Sequence, residues 1–203
     1  MVGLLLASGS PRRAALLAEA GFDFETVSPR IEEKFDVDFT LRELTMWNAI
    51  RKGTSIARMR PDRVVLAADT LIALEGKVIG KPADFSNAAQ ILRRLSGRTH
   101  DVCSAVFIYR FAAGQPVTFH EFSRVRFRHL STNKIDNYLA RVDPLDKAGA
   151  YAAQGCGAEI IAKIDGSYTN VIGLPMEKTV AALVTFGIHP KPSNDQSSAT
   201  AGA

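Results

Sequence analysis

Two adjacent arginines near the start of the chain could bind an anion. Arg12 and Arg13 follow the segment Ser8-Gly9-Ser10-Pro11, in which a serine followed by a proline is typical of the start of a helix. Positive charge in a first helical turn opposes the helix macrodipole, which favours negative charge there. A bound phosphate would remove this conflict, because backbone N–H groups, hydroxyls and guanidinium groups together suit an anion. An ordinary capped helix with solvated arginines is the alternative that the residues alone leave open.

Carboxylates that could hold a metal ion lie in two further segments. Asp69 follows the apolar run Val64–Ala68, and α/β proteins place ligands at the carboxyl ends of sheet strands. A carboxylate there can bind a divalent cation or orient a water molecule for attack on phosphorus. Glu32 and Glu33 form an acidic pair in a predicted loop. Taken singly, Asp69 is also explained as the start of a turn, and the two glutamates as solvated loop residues.

Three more polar residues stand where they could reach a ligand. Lys81 precedes a proline just after a predicted hairpin, and Lys52 lies on the helix predicted before that hairpin. Gln154 lies in the segment Asp146–Gly155, whose small residues would let the backbone approach a ligand closely. Its amide offers both a donor and an acceptor. The alternatives are two surface lysines and a tightly packed corner, although such a corner does not account for a polar side chain at 154.

Composition excludes several classes of protein. The 203 residues include 25 Lys and Arg against 21 Asp and Glu, for a net charge of +4, and 46% are hydrophobic, as in an average globular protein. No apolar run reaches the roughly 18 residues of a membrane span, and the first residues lack the basic start of a signal peptide. Cys103 and Cys156 form no CxxC pair and the histidines have no metal-ligand spacing, so we expect neither a disulfide scaffold nor a zinc site. Free thiols fit a cytoplasmic protein.

The chain that must position these residues alternates predicted strands and helices. Apolar runs bounded by turn residues predict strands at Leu4–Ala7, Phe22–Val27, Val64–Ala68, Leu71–Leu74, Lys77–Ile79, Val102–Tyr109, Val117–Phe127 and Ile160–Ile164. Helices are predicted from Pro11, from Leu41 after a capping box at 40–43, from a cap at Ser86, and over Ser131–Val142 and Met176–Phe186. On the second helix, one face is expected to carry Leu44, Trp47, Ile50, Thr54 and Ala57. Hairpins, one of them turning at Glu75-Gly76, predict a mixed sheet.

Seven short motifs follow one another along nearly the whole chain, from about Leu4 to Ile188. They are LASGSPRR at 6–13, IEEK at 31–34, AADT at 67–70, GKP at 80–82, LSGRTH at 95–100, DKAGAYAAQG at 146–155 and GLP at 173–175. Together, in this order and spacing, they resemble the Maf family of nucleoside triphosphate pyrophosphatases. The resemblance implies an elongated α/β fold of the Maf and inosine-triphosphatase type, with a mixed twisted sheet, flanking helices and a cleft between two lobes. We expect residues 1–190 to form this single two-lobed catalytic domain and residues 191–203 a disordered tail.

The same resemblance implies an activity and a set of site residues. The reaction is hydrolysis of a nucleoside triphosphate to the monophosphate and pyrophosphate with Mg²⁺ or Mn²⁺. By position, Asp69 is similar to the catalytic carboxylate, as general base or metal ligand, and Glu32 to a further metal ligand. The substrate-binding residues implied by position are Ser8, Arg12, Arg13, Lys52, Thr70, Lys81 and Gln154. Among these, Arg12, Thr70 and Gln154 resemble the trio of the dTTP- and UTP-hydrolysing group. One departure is Asn48, where the family usually carries leucine.

Three other functions stay open at this point. The first is the same reaction on 7-methyl-GTP, the second is a nucleotide-binding regulator of septum formation in cell division, and the third is a nucleic-acid-binding module. Arg124, Arg126 and Arg128 alternate along one predicted strand, but no aromatic residues interleave with them for base stacking. A solvated strand face is therefore favoured, and we expect neither a nucleic-acid nor a membrane partner. The resemblance also admits a homodimer.

Overall fold

The sheet is mixed, as the predicted hairpins require. The computed structural model describes residues 3–31 and 39–191. Its strands are Leu4–Ala7 (β1), Phe24–Thr26 (β2), Val64–Leu74 (β3), Lys77–Ile79 (β4), Thr99–Tyr109 (β5), Val117–Phe127 (β6) and Ile161–Asp165 (β7). Across the sheet the order is β2-β1-β3-β5-β6-β7, and β4 pairs with β3 beside this path. β1 runs parallel to β2 and β3, whereas the other pairs are antiparallel.

Four of the described α-helices begin after a residue whose side chain accepts a hydrogen bond from the first turn. They are Pro11–Glu19 (α1), Leu41–Met59 (α2), Phe85–Leu95 (α3), Thr132–Leu139 (α4), Gly157–Ile160 (α5), Tyr168–Ile172 (α6) and Met176–Thr185 (α7). At α2 the predicted capping box forms: the Thr40 hydroxyl accepts from the Glu43 N–H at 3.3 Å, and the Glu43 carboxylate accepts from the Thr40 N–H at 2.9 Å. The prediction of Ser86 as the cap of α3 is wrong, because the Asp84 carboxylate fills that role by accepting from the Asn87 N–H at 2.7 Å.

One predicted break in the sheet does not exist. The sequence suggested two strands that stop and restart at Asp69, but β3 runs without interruption from Val64 to Leu74. It continues because β5 pairs with it antiparallel along this length, with Asp69 opposite Ala105. β1 ends at Ala7, opposite Ala67. Asp69 therefore lies just beyond the carboxyl end of β1, in the middle of a longer neighbouring strand.

The predicted inner face of α2 is also partly wrong. Leu44 and Ala57 are buried as expected, but Trp47 is 45% exposed. The buried face instead carries Thr45, Asn48 and Lys52 together with small and aliphatic residues. Gly53 explains why this face of α2 turns toward the sheet, because a Cβ at residue 53 would lie 2.2 Å from the Phe107 ring. The helix thus presents its narrowest side to the sheet, and two of its polar side chains come to lie beside β3.

Both faces of the sheet centre are covered. Successive residues of a strand point to opposite faces, so Leu4 and Leu6 pack with α1 and α7 while Leu5 and Ala7 pack with α2. A separate apolar cluster joins the far half of β3 to α3 and α4. Of the predicted tail, only Lys191 lies within the described residues, and its N–H donates to the Gly21 carbonyl at 2.8 Å. Within 3–31 and 39–191, no helix is both long and apolar enough for a membrane span.

Candidate active site

A cavity of about 360 Å³ opens beside the carboxyl end of β1. Distant segments of the chain meet there, including the start of α1, the middle of β3 and the loop after α4. Its lining includes nearly all the side chains that the sequence singled out: Ser8, Arg12, Arg13, Lys52, Asp69, Thr70, Lys81 and Gln154. Glu32 and Glu33 lie outside the described residues. The fold therefore brings the described candidates together, while the role of each stays a prediction.

Asp69 is the carboxylate buried within this cavity. It is only 3% exposed, and two side chains of α2 bond its two oxygens. The Lys52 ammonium lies 2.6 Å from Oδ1, and the Asn48 amide donates to Oδ2 at 3.3 Å. Asn48 and Lys52 are four residues apart and so share one helix face. In the sequence, Asn48 stands out only as a departure from the family. The polar residues at helical spacing from 45 to 52 are the signal that predicts a polar inner face.

Arg13 ties three parts of the site together. Its guanidinium donates from Nε to the Gly173 carbonyl at 2.8 Å, from Nη1 to the Ser8 hydroxyl at 3.1 Å, and from Nη2 to the Thr70 hydroxyl at 2.9 Å. Gly173 is needed for this approach, since it has φ of 129° and a Cβ there would lie 3.3 Å from the Thr70 hydroxyl. Arg13 was expected to bind substrate directly. In the structure its guanidinium also orders two other candidate substrate-binding residues, Ser8 and Thr70.

Thr70 is held by a second bond that the sequence did not predict. Its hydroxyl lies 2.8 Å from the hydroxyl of Ser104, which faces it across the β3–β5 pairing. Ser104 in turn donates to the Asn170 carbonyl at 2.8 Å. Asn170 is fully buried on α6. Thr70 is thus fixed from two directions at the edge of the cavity.

A pair of opposite charges spans the cavity lining. The Arg12 guanidinium on α1 lies 2.9 Å from the carboxylate of Asp146, which is also paired with Lys147. Partial burial raises the pKa of Asp146, but the bonds from Lys147 and Arg12 outweigh this and hold it below its usual value. Asp146 and Lys147 belong to a motif that the sequence singled out. Only Gln154 of that motif was named as a site residue.

The loop that carries Gln154 also carries Tyr151, one of two buried aromatic side chains that contact each other. Tyr151 lines the cavity and shares a 2.8 Å hydrogen bond with Nε2 of His100, which is 2% exposed. Burial lowers the pKa of His100 to about 4 and raises the pKa of Tyr151, so both groups are neutral around pH 7. Gly149 brings this loop onto β3, since a Cβ there would lie 2.3 Å from the Ile72 side chain. Tyr151 is therefore held by a buried hydrogen bond in a loop that packs closely on β3.

The donor set determines what kind of metal site this cavity fits. Among residues 3–31 and 39–191, no three His, Cys, Asp or Glu side chains cluster as a metal cage would. Magnesium commonly needs only one or two carboxylates and takes its other ligands from water and substrate phosphates. Asp69 can supply one such carboxylate. The described residues of this cavity therefore fit Mg²⁺ that is bound through one carboxylate together with water and phosphate oxygens.

Comparison with known proteins identifies the family. The sequence profile described as "Maf-like protein" matches residues 3–186, nearly the entire chain. The chain belongs to the Maf family. A relative from Bacillus pumilus, named "dTTP/UTP pyrophosphatase", is 44% identical over 187 residues, which cover 92% of this Maf chain and 98% of the relative. A relative of the same name from Bacillus cereus (strain ATCC 10987) is 40% identical over 188 residues, covering 93% and 92%.

A solved structure supports the fold assignment of this Maf protein. The structure of a HAM1 protein from Coxiella burnetii matches with a TM-score of 0.55 and covers 91% of this chain and 100% of its own. Its sequence identity is only 16%, so the likeness concerns the fold alone. The predicted α/β fold with a mixed sheet and flanking helices is confirmed.

Proposed function

We propose that this Maf protein hydrolyses nucleoside triphosphates to the monophosphate and pyrophosphate, with dTTP and UTP as its substrates. The observation that carries the proposal is one buried carboxylate, Asp69, set among a surplus of cationic side chains. Among the described residues, five Lys and Arg residues and two Asp residues line the cavity. A triphosphate carries several negative charges that such a lining can offset. The names of the Bacillus relatives support the same reaction and the same two substrates.

The proposed reaction is attack of water on the α-phosphorus. Bound together with the triphosphate, Mg²⁺ or Mn²⁺ would supply Lewis-acid charge, with Asp69 and Glu32 as the residues that hold it. Asp69 acts either as such a ligand or as the base that takes the proton from water. Arg12 and Lys81 bind phosphate oxygens and offset the charge that develops on the departing pyrophosphate. As water adds, the bond from the α-phosphorus to the bridging oxygen breaks and the electron pair leaves with pyrophosphate.

Two cationic side chains of this site, Lys52 and Arg13, bond other residues of the protein and can also contact the substrate. Lys52 neutralises Asp69 at 2.6 Å, which reduces the repulsion between that carboxylate and an incoming phosphate. Arg13 holds the hydroxyls of Ser8 and Thr70. Both residues line the cavity and can also contact substrate. Their substitution should therefore affect both folding and turnover.

Selection of the base is assigned to Gln154, Thr70 and Arg12. Uracil and thymine present an N3–H donor next to a carbonyl acceptor, and a side-chain amide can match both. Cytosine presents an acceptor at N3 instead. A freely rotating amide could turn to match cytosine too, so selection requires that neighbouring groups hold Gln154 in one orientation. The bonds that fix Thr70 and the wall around Tyr151 support such an arrangement.

The expectations about partners and location also stand as proposals. Arg124, in the basic stripe of β6, lies opposite Asp101 on one side and Asp165 on the other, which supports a solvated face rather than a nucleic-acid surface. Cys103 and Cys156 are free thiols, as expected in a reducing cytoplasm. A homodimer is proposed from the resemblance, and size-exclusion chromatography with light scattering tests it.

A product assay tests the proposed reaction. The purified protein is incubated with Mg²⁺ or Mn²⁺ and a panel of dTTP, UTP, CTP, GTP and 7-methyl-GTP, and the products are separated by ion exchange. We expect monophosphate and pyrophosphate in equal amounts, with dTTP and UTP turned over fastest. Orthophosphate with a nucleoside diphosphate would contradict the assigned bond. A preference for 7-methyl-GTP would contradict the assigned base.

A further inference from the structure

Asn48 contacts the central carboxylate of the site without lining the cavity. Its side chain is 1% exposed, and its amide donates to Oδ2 of Asp69 at 3.3 Å. The other carboxylate oxygen, Oδ1, is bonded to Lys52 at 2.6 Å. Asn48 is not among the residues that line the cavity. It is therefore placed to act on the reaction through Asp69 rather than through direct contact with substrate.

Hydrogen bonds to both oxygens restrict the orientation of a carboxylate more than a bond to one oxygen does. The terminal torsion of an aspartate is broad, so a carboxylate bonded at a single oxygen can rotate about its last bond. Bonds to both oxygens, from Asn48 and Lys52 on the same helix, fix the plane of the Asp69 carboxylate. Each carboxylate oxygen has two lone pairs, and the fixed plane determines which of them point into the cavity.

The chemical nature of Asn48 suits this task. A neutral amide donates a hydrogen bond to Oδ2 without adding charge. A second cation beside Lys52 would compete with any metal ion for the same carboxylate. The position is rigid, because α2 packs closely on β3 and β5 through Gly53, where a Cβ would meet the Phe107 ring at 2.2 Å.

We propose that Asn48 is a positioning residue that orients the Asp69 carboxylate for hydrolysis. This inference rests on the proposed function, since it assigns a purpose to the orientation of Asp69. It differs from a purely structural role in one measurable respect. A positioning residue affects kcat at nearly constant KM, whereas a residue needed only for folding affects stability and the fraction of active protein.

The test compares two substitutions on the same buried helix face. Asn48→Leu keeps the number and branching of the side-chain heavy atoms and removes the donor to Asp69. Thr45→Val is the matched control, because Thr45 is also fully buried but bonds the Leu41 carbonyl of its own helix at 2.5 Å. For both variants, kcat and KM for UTP are measured per active molecule, and the melting temperature is recorded. Asn48→Asp serves as a third variant, in which an acceptor of nearly the same size replaces the donor.

We expect Asn48→Leu to lower kcat about 10-fold, the kinetic equivalent of one hydrogen bond to a charged group. KM should stay within about twofold, because Asn48 is not among the described residues that line the cavity. Asn48→Asp should lower kcat further through like-charge repulsion, and Thr45→Val should stay within about twofold of wild type in both constants. A wild-type kcat for Asn48→Leu, or an equal loss in Thr45→Val, would overturn the positioning role.

A second measurement tests the contact independently of catalysis. Urea unfolding of wild type, Asn48→Leu, Asp69→Asn and the double variant forms a double-mutant cycle. We expect the two effects to be non-additive, since Asp69→Asn replaces one carboxylate oxygen by an amide donor and so changes the hydrogen-bond partner of Asn48, and additive effects would overturn the proposal. A wild-type protein that is stable but releases no pyrophosphate from any triphosphate would overturn the proposed function and the positioning role with it. In that case non-additivity would still report the bond.

Discussion

Replacing Lys52 by methionine should cost the protein a large part of its stability. The substitution keeps the apolar stem and removes the ammonium that lies 2.6 Å from Asp69. Asp69 would then stay negatively charged and only 3% exposed. Of its two contacts from α2, only the bond from the Asn48 amide would remain. Breaking a buried ion pair from one side costs about 3–5 kcal/mol. Because Asp69 borders an open cavity, we expect the lower end, about 3 kcal/mol.

Urea unfolding of four proteins measures this cost. They are the wild type, Lys52→Met, Asp69→Asn and the double variant. Removing both charges takes away the uncompensated carboxylate, so the double variant should be more stable than Lys52→Met alone. The coupling should be at least about 1 kcal/mol, well above the scatter of independent sites. It should also persist in about 1 M NaCl, since buried pairs are poorly screened.

A surface ion pair provides the matched control. Arg141 and Glu159 are paired with side chains 48% and 44% exposed. Arg141→Met should therefore give a much smaller loss of stability, and added salt should reduce that loss. Additive effects of Lys52→Met and Asp69→Asn, or a loss that vanishes in salt, would refute the claim that the Lys52–Asp69 pair is buried and coupled.

Three further predictions concern the reaction and the pH dependence of stability. Asp69→Asn should lower kcat at least about 10²-fold, the scale of a general base, and a kcat within a few-fold of wild type in a folded variant would make Asp69 structural. Gln154→Ala should lower kcat/KM about 10-fold for UTP and dTTP but less for CTP, whereas equal losses on UTP and CTP would limit Gln154 to positioning or folding. Burial lowers the pKa of His100 to about 4 from 6.5, so the unfolded chain takes up this proton first and stability should fall as pH drops from about 6.5 to 4. His100→Gln should flatten that part of the urea-unfolding profile, and an unchanged slope would refute this account.

The parts of the site that lie close together in the chain could be predicted from the sequence. The start of α1 at Pro11 was predicted correctly, because a serine followed by a proline is a local signal. The order of seven motifs added the family, which composition and periodicity alone do not give. The two-residue turn at Glu75-Gly76 was predicted for the same local reason, and both residues have positive φ.

The parts that depend on packing between elements could not be predicted. The inward face of α2 is set by the close contact of Gly53 with Phe107, which the hydrophobic pattern of α2 does not reveal. The hydrophobic pattern therefore does not predict Asn48 as a site residue. Ser104 reaches Thr70 only through the register of β3 and β5, and Asn170 lies on α6, a helix of five residues too short for a periodic pattern.

The position of isotope after hydrolysis tests the central claim most directly. The enzyme is given UTP in water enriched in ¹⁸O, and the products are analysed by mass spectrometry. Attack on the α-phosphorus places one ¹⁸O atom in UMP and none in pyrophosphate, and this is the result that the account predicts. Label in pyrophosphate would mean attack on the β-phosphorus, and labelled orthophosphate would mean attack on the γ-phosphorus. Either result would contradict the reaction assigned to Asp69 and its cationic neighbours.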